Sequence, residues 1–222
     1  ALSLVNITRR VRVKICGLTR AADVAVSVAA GADAIGLNCY AGSPRHVPRD
    51  ALRGLAAEIA PFVTPVLLFV NAEPDEVRRA LDAVPDALLQ FHGDESEADC
   101  ARFGRPYLRA VRMAPQVSLL DCERTYASAS ALLADAPAAG FGGSGQRFDW
   151  SRIPPPPLRR KPLVLAGGLD DGNVAEAIRA VQPYAVDVSS GVEQAKGIKD
   201  PARIARFIAA VRGAEHTVSP IA

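Results

Sequence analysis

From residue 11 onward the chain alternates short aliphatic and β-branched runs with longer stretches whose apolar positions recur every three or four residues. The short runs predict strands at 11–16, 34–37, 66–70, 87–91, 107–111, 131–135, 163–166 and 185–188. The stretches between them, including 20–30, 50–60, 75–83 and 173–181, carry the helical period. Boundary signals agree with this reading: Pro74 precedes Asp75, Gly31 closes the first helix, and Pro201 stands early in the last. Strand followed by helix implies parallel pairing and right-handed crossovers. Eight such units within residues 10–212 or so close most economically as an α/β, single-domain (β/α)8 TIM barrel covering the chain 1–222. The rival is an open doubly wound sheet, but no GxGxxG follows the first strand. The longest loops, 38–48 and 136–148, follow the second and sixth strands and so belong at the barrel's C-terminal mouth. The proline run at 154–157 reads as a stiff connector, and beyond Gly213 a frayed, flexible tail is expected.

Composition narrows the class. Of the 222 residues, 49% are hydrophobic and 23% charged, which excludes a disordered or fibrous chain. Lys+Arg 26 against Asp+Glu 24 leaves +2, too balanced for a nucleic-acid partner held by bulk charge. The apolar runs are strand-sized, so no membrane partner is expected, and residues 1–10 lack the apolar core of a signal peptide. Cys16, Cys39, Cys100 and Cys122 show neither CxxC nor zinc spacing, which fits reduced thiols and a cytoplasmic location. The three histidines are too scattered to suggest a metal site.

In a closed βα barrel the chemistry gathers at and just beyond the C-terminal strand ends. Two turns there are glycine-rich: Gly167-Gly168 after the seventh strand and Ser189-Ser190-Gly191 after the eighth. Small residues let backbone N–H groups close on an anion, so the pair predicts a small-molecule phosphorylated substrate, where one turn alone would read as mere geometry. Cys16 ends the first strand, and Lys14 shares its face by the two-residue period. A cation there would raise the thiolate fraction of Cys16; the plainer reading is a small buried hydrophobe. Asp135 ends an apolar strand and is the acid candidate, whereas Asp121, of similar local look, falls inside a helix. A base on the first strand and an acid on the sixth would reach a small substrate from different sides, as an isomerisation requires. Arg45, in a proline-stiffened turn, offers a fork for a carboxylate or is a solvated loop charge. His92 is either a mouth residue or a satisfied structural histidine, and Arg112 is a further mouth charge or a surface cation. Asp187, a charge inside an apolar strand, needs a partner, and Lys14 on the neighbouring strand is the first candidate.

These segments together resemble the phosphoribosylanthranilate isomerase family, barrel enzymes of tryptophan biosynthesis. The resemblance runs through Lys14-Ile15-Cys16-Gly17-Leu18-Thr19, Ser43-Pro44-Arg45-His46-Val47 and Leu89-Gln90-Phe91-His92-Gly93-Asp94-Glu95. It continues through Asp135 with the stretch 142–150, the Gly167-Gly168 turn with Asn173, and Asp187 to Glu193 followed by Gly197-Ile198-Lys199-Asp200. It implies an Amadori rearrangement of N-(5'-phosphoribosyl)anthranilate without metal or organic cofactor. In that likeness Asp135 matches the general acid and Cys16 the general base. Arg45 matches the residue gripping the anthranilate, and Gly168 with Ser190 and Gly191 matches the phosphate site. Asp187 and His92 match positions lining the pocket. The alternatives are a sibling barrel like indole-glycerol-phosphate synthase, which works through lysines, and a lapsed barrel that binds a phosphorylated anthranilate derivative without turnover.

Overall fold

The computed structural model describes residues 10–137 and 148–215. The first nine residues, most of the loop after the sixth strand (including residues 142–147 of the family-like stretch) and the tail from 216 lie outside them. Eight parallel strands close into one barrel in chain order. They are β1 (Arg12–Cys16), β2 (Ala34–Asn38), β3 (Thr64–Phe69), β4 (Leu88–Phe91), β5 (Tyr107–Arg112), β6 (Ala131–Asp135), β7 (Leu163–Leu165) and β8 (Ala185–Val188). Closure is made by β8 returning to β1, where Val13 pairs with Val186 and Lys14 with Asp187.

The two faces of each strand serve different cores, as the period of two demands. Val66, Leu108, Ala110, Leu133, Val164 and Ala185 fill the barrel interior. Val13, Ile15, Ile35, Leu67, Leu89 and Val186 face outward into a second, larger layer beneath the helices. Burial on both sides is why the strands read as near-continuous apolar runs. The helices α1 (Ala21–Ala29), α2 (Arg49–Ala56), α3 (Pro74–Ala83), α4 (Glu97–Ala101), α5 (Leu119–Thr125), α6 (Val174–Val181) and α7 (Pro201–Glu215) cover that layer. Each buries one stripe: α2 turns Leu52 and Leu55 inward, α3 Val77 and Ala80. A hairpin that the periodicity does not announce, β9 (Glu193–Ala195) with β10 (Ile198–Lys199), caps the end of β8.

Three expectations are corrected. The crossover from β6 to β7 contains no α-helix among the described residues, only the single 3-10 turns Trp150–Arg152 and Pro156–Leu158. Four consecutive prolines at 154–157 withdraw the N–H donors a helix needs. The helix expected at 50–60 ends at Ala56, shortly before Pro61, which disfavours helical geometry in the residue preceding it. At the C-terminus α7 runs past Gly213 to Glu215. There the Glu215 carboxylate accepts from the Val11 N–H at 2.7 Å and from Arg212 at 2.8 Å, tying the last turn to the first strand.

Candidate functional site

A cleft of about 760 Å3, counted to its open mouth, occupies the C-terminal end of the barrel. Of the residues singled out from sequence, Cys16, Arg45, His92, Asp135, Gly167, Gly168, Asp187 and Ser190 line it. Lys14 and Gly191 do not. Lys14 lies beneath Cys16 and Gly191 packs behind the mouth, on the Leu169 carbonyl. Arg112 also stays off the lining; it sits at the rim near the Asp94 carboxylate and the His92 carbonyl oxygen.

On the β1 side, Lys14 Nζ donates to Asp187 Oδ1 at 2.9 Å, with both side chains under one-tenth exposed. Burial works against the ammonium, yet Asp187 and the Cys16 sulfur hold Lys14 above the ordinary lysine range. The expected activation of Cys16 is outweighed. Burial pushes its thiol up and Asp187 adds to that, leaving the pull of Lys14 second. The cation is largely spent on its carboxylate partner.

On the β6 side, the Asp135 carboxylate takes two polar contacts among the described residues. Its Oδ1 accepts from the Ala136 N–H at 2.8 Å, and Oδ2 lies 3.2 Å from His92 Nε2. His92 is held in turn by its own N–H, donated to the Phe69 carbonyl at 2.9 Å, and by Gln90, whose amide nitrogen is 3.2 Å from Nδ1. Behind β4 a buried pair braces this turn: Arg109 donates to Glu95 at 2.9 Å and to the Gly93 carbonyl at 2.9 Å. The same Glu95 accepts from the N–H groups of Asn71 and Gly93.

Arg45 is not a free fork. Its Nε and one terminal nitrogen donate to the two oxygens of Glu193, each at 2.7 Å. Glu193 also accepts from Lys199 Nζ at 2.9 Å. Burial raises the Glu193 carboxyl, but Arg45 and Lys199 bring it net below the usual carboxylate range. Burial pulls Lys199 down despite its partner. The guanidinium is therefore held in a fixed pose at the cleft wall.

The corner formed by the two glycine-rich turns is made of backbone. Gly167 and Gly168 both adopt positive φ, at 83° and 64°, so the turn after β7 doubles back sharply. Facing it, the turn after β8 comes so close that a Cβ on Gly191 would collide with the Leu169 carbonyl oxygen. Only glycine permits that approach. Among the described residues no group of three or more His, Cys, Asp or Glu is arranged to hold a metal ion, and no helix is long and apolar enough to cross a membrane.

A family model described as N-(5'phosphoribosyl)anthranilate (PRA) isomerase matches residues 13–210. The chain belongs to the N-(5'-phosphoribosyl)anthranilate isomerase family. The isomerase of Leptothrix cholodnii is 57% identical over 206 residues, 93% of each chain. Among solved structures, the isomerase of Thermotoga maritima superposes with a TM-score of 0.80 at 38% identity, covering 91% of this chain and 99% of that one. A further isomerase structure, in complex with reduced 1-(o-carboxyphenylamino)-1-deoxyribulose 5-phosphate, gives a TM-score of 0.78 at 38% identity over 91% and 99% of the two chains.

Gln90, Glu95, Arg109, Glu193 and Lys199 all hold a lining residue or its turn in place. Arg109 was within reach of sequence reasoning, since it is a charge inside the apolar run Tyr107-Leu108-Arg109-Ala110-Val111, the same signal that marked Asp187. Glu193 and Lys199 carry no such signal, because their pairing depends on the unannounced hairpin.

Proposed function

We propose that this chain converts N-(5'-phosphoribosyl)anthranilate into 1-(2-carboxyphenylamino)-1-deoxyribulose 5-phosphate, with Asp135 as general acid and Cys16 as general base. The observation that carries the proposal is their placement: Cys16 on β1 and Asp135 on β6 line the same cleft from separate parts of the ring. Phosphate bound at the Gly167-Gly168 and Ser190 turns would hold one end of the substrate. Arg45, fixed by Glu193, meets the anthranilate carboxylate at the other.

Asp135 then gives its proton to the furanose ring oxygen as the C1'–O bond breaks, leaving an iminium between C1' and the anthranilate nitrogen. The Cys16 thiolate removes the C2' proton. The C–H electron pair becomes the C1'=C2' double bond of an enolamine, and the iminium π pair returns to nitrogen. Loss of the C2' hydroxyl proton and gain of a proton at C1' complete the ketone. One carbon is oxidised and its neighbour reduced, so no external oxidant is needed. Asp187 neutralises Lys14 beneath the thiol, and His92 faces the acid.

The test is a fluorescence time course on substrate generated in situ from anthranilate and phosphoribosyl pyrophosphate by a coupling transferase. Enzyme-dependent loss of the anthranilate-type signal is expected. No loss, together with tight binding of a product analogue, would make the chain a binding barrel without turnover.

A further inference from the structure

Gln90 and His92 lie two residues apart at the end of β4 and both line the cleft. Gln90 is 0% exposed. Its amide nitrogen is 3.2 Å from His92 Nδ1, yet its Oε1 has no hydrogen-bond partner among the described residues. Buried side-chain polar atoms are nearly always paired. Among the described residues, Arg109 Nε and Trp150 Nε1 are likewise buried without a partner, and both belong to residues off the cleft lining.

An amide nitrogen only donates, so Nδ1 must accept, and the neutral ring carries its proton on Nε2. That proton faces Asp135 Oδ2 at 3.2 Å. We infer that Gln90 serves the site with both ends of one amide: its nitrogen sets the His92 tautomer that faces Asp135, and its Oε1 accepts a hydrogen bond from a sugar hydroxyl of the substrate. The substrate class rests on the function proposed above. Within that class the phosphate and the carboxylate offer acceptors, and the bridging N–H is engaged by its own ortho carboxylate. The sugar hydroxyls are the donors left for Oε1. Gln90 is thus a positioning residue for His92 and a contact that reads the sugar.

The experiment uses Gln90→Met, which keeps length and volume with at most a weak acceptor, and Gln90→Glu, whose ionised carboxylate can only accept. Nitrogen-15 spectra of histidine-labelled protein, taken well above the ordinary histidine titration range, read the His92 tautomer without any turnover. Wild type should show the Nε2–H form and Gln90→Glu the Nδ1–H form. An Nδ1–H tautomer in wild type would mean that the amide is turned round and overturns the inference. In kinetics, Gln90→Met should raise KM about tenfold, the loss of one hydrogen bond, while inhibition by inorganic phosphate stays unchanged. Unchanged KM, or equal weakening of substrate and phosphate, would reduce Gln90 to packing. If wild type shows no turnover at all, the proposed function has failed; the tautomer and the affinity for a product analogue still decide the role of Gln90.

Discussion

The Lys14–Asp187 pair allows a quantitative test of how the barrel is sealed beneath its site. It joins β1 to β8 at the closing seam, with Nζ–Oδ1 at 2.9 Å and side chains 4% and 9% exposed. Water screens it little. Asp187→Asn leaves the Lys14 ammonium facing a neutral amide and the Cys16 sulfur, so the desolvation already incurred is no longer offset by a full charge. Breaking a buried pair in this way costs about 3–5 kcal/mol, a large fraction of the 5–15 kcal/mol that holds a typical domain together. Lys14→Met should cost a similar amount by stranding Asp187. The double variant Lys14→Met/Asp187→Leu removes both charges at similar volume and should recover most of the loss.

Urea unfolding followed by circular dichroism measures all four proteins, with an unchanged m-value showing that the folded state stayed compact. The pH arm has a definite sign. Because Lys14 is raised above its unfolded value, its contribution is full below the ordinary lysine range and is lost as pH climbs through the higher folded value. Single-variant costs below about 1 kcal/mol, the level of an exposed pair, would refute the reasoning, as would strictly additive single and double effects.

Two further outcomes follow from the packing of the site. Gly191→Ala puts a methyl against the Leu169 carbonyl oxygen and must push the two glycine turns apart. Inhibition by inorganic phosphate should weaken about tenfold or more, with a lowered melting temperature from the displaced backbone, and unaltered inhibition in the folded variant would move the phosphate elsewhere. Burial raises the Cys16 thiol, so its thiolate absorbance, taken as a difference from Cys16→Ala, should titrate above the usual cysteine range. Lys14→Met should shift that titration higher still; a midpoint at or below the ordinary value would show that Lys14 outweighs burial.

The scaffold was largely legible because each barrel strand is buried on both faces, which writes eight short apolar runs separated by helical periods. The crossover after β6 broke the pattern for a local reason, the prolines at 154–157. Lining residues were legible where a strand end announces them: Cys16, His92, Asp135 and Asp187 all sit at or next to the last residues of strands. What could not be read was partnership across distant sequence. Arg45 looks like an available fork until the β9–β10 hairpin brings Glu193 to it, 148 positions away. Likewise the spacing of Lys14 and Cys16 suggests an activated thiol, whereas the balance of burial against a shared cation depends on how deep the pair lies. Gln90 is marked locally only as a polar residue inside the apolar run Leu88-Leu89-Gln90-Phe91, because an unpaired amide oxygen is visible only once every neighbour is in place.

The central claim is that Asp135 and Cys16 act as acid and base from opposite parts of one cleft. The most direct measurement compares wild type, Asp135→Asn and Cys16→Ser in the fluorescence time course at saturating substrate, with binding of a product analogue measured in parallel. An amide cannot supply the proton that opens the ring, and a hydroxyl is a poor base near neutral pH. Each variant should therefore bind the analogue and lose turnover by about 10²–10⁴-fold. Turnover within about tenfold of wild type in either variant, a loss of only some 1.4 kcal/mol, would contradict the assignment of that residue.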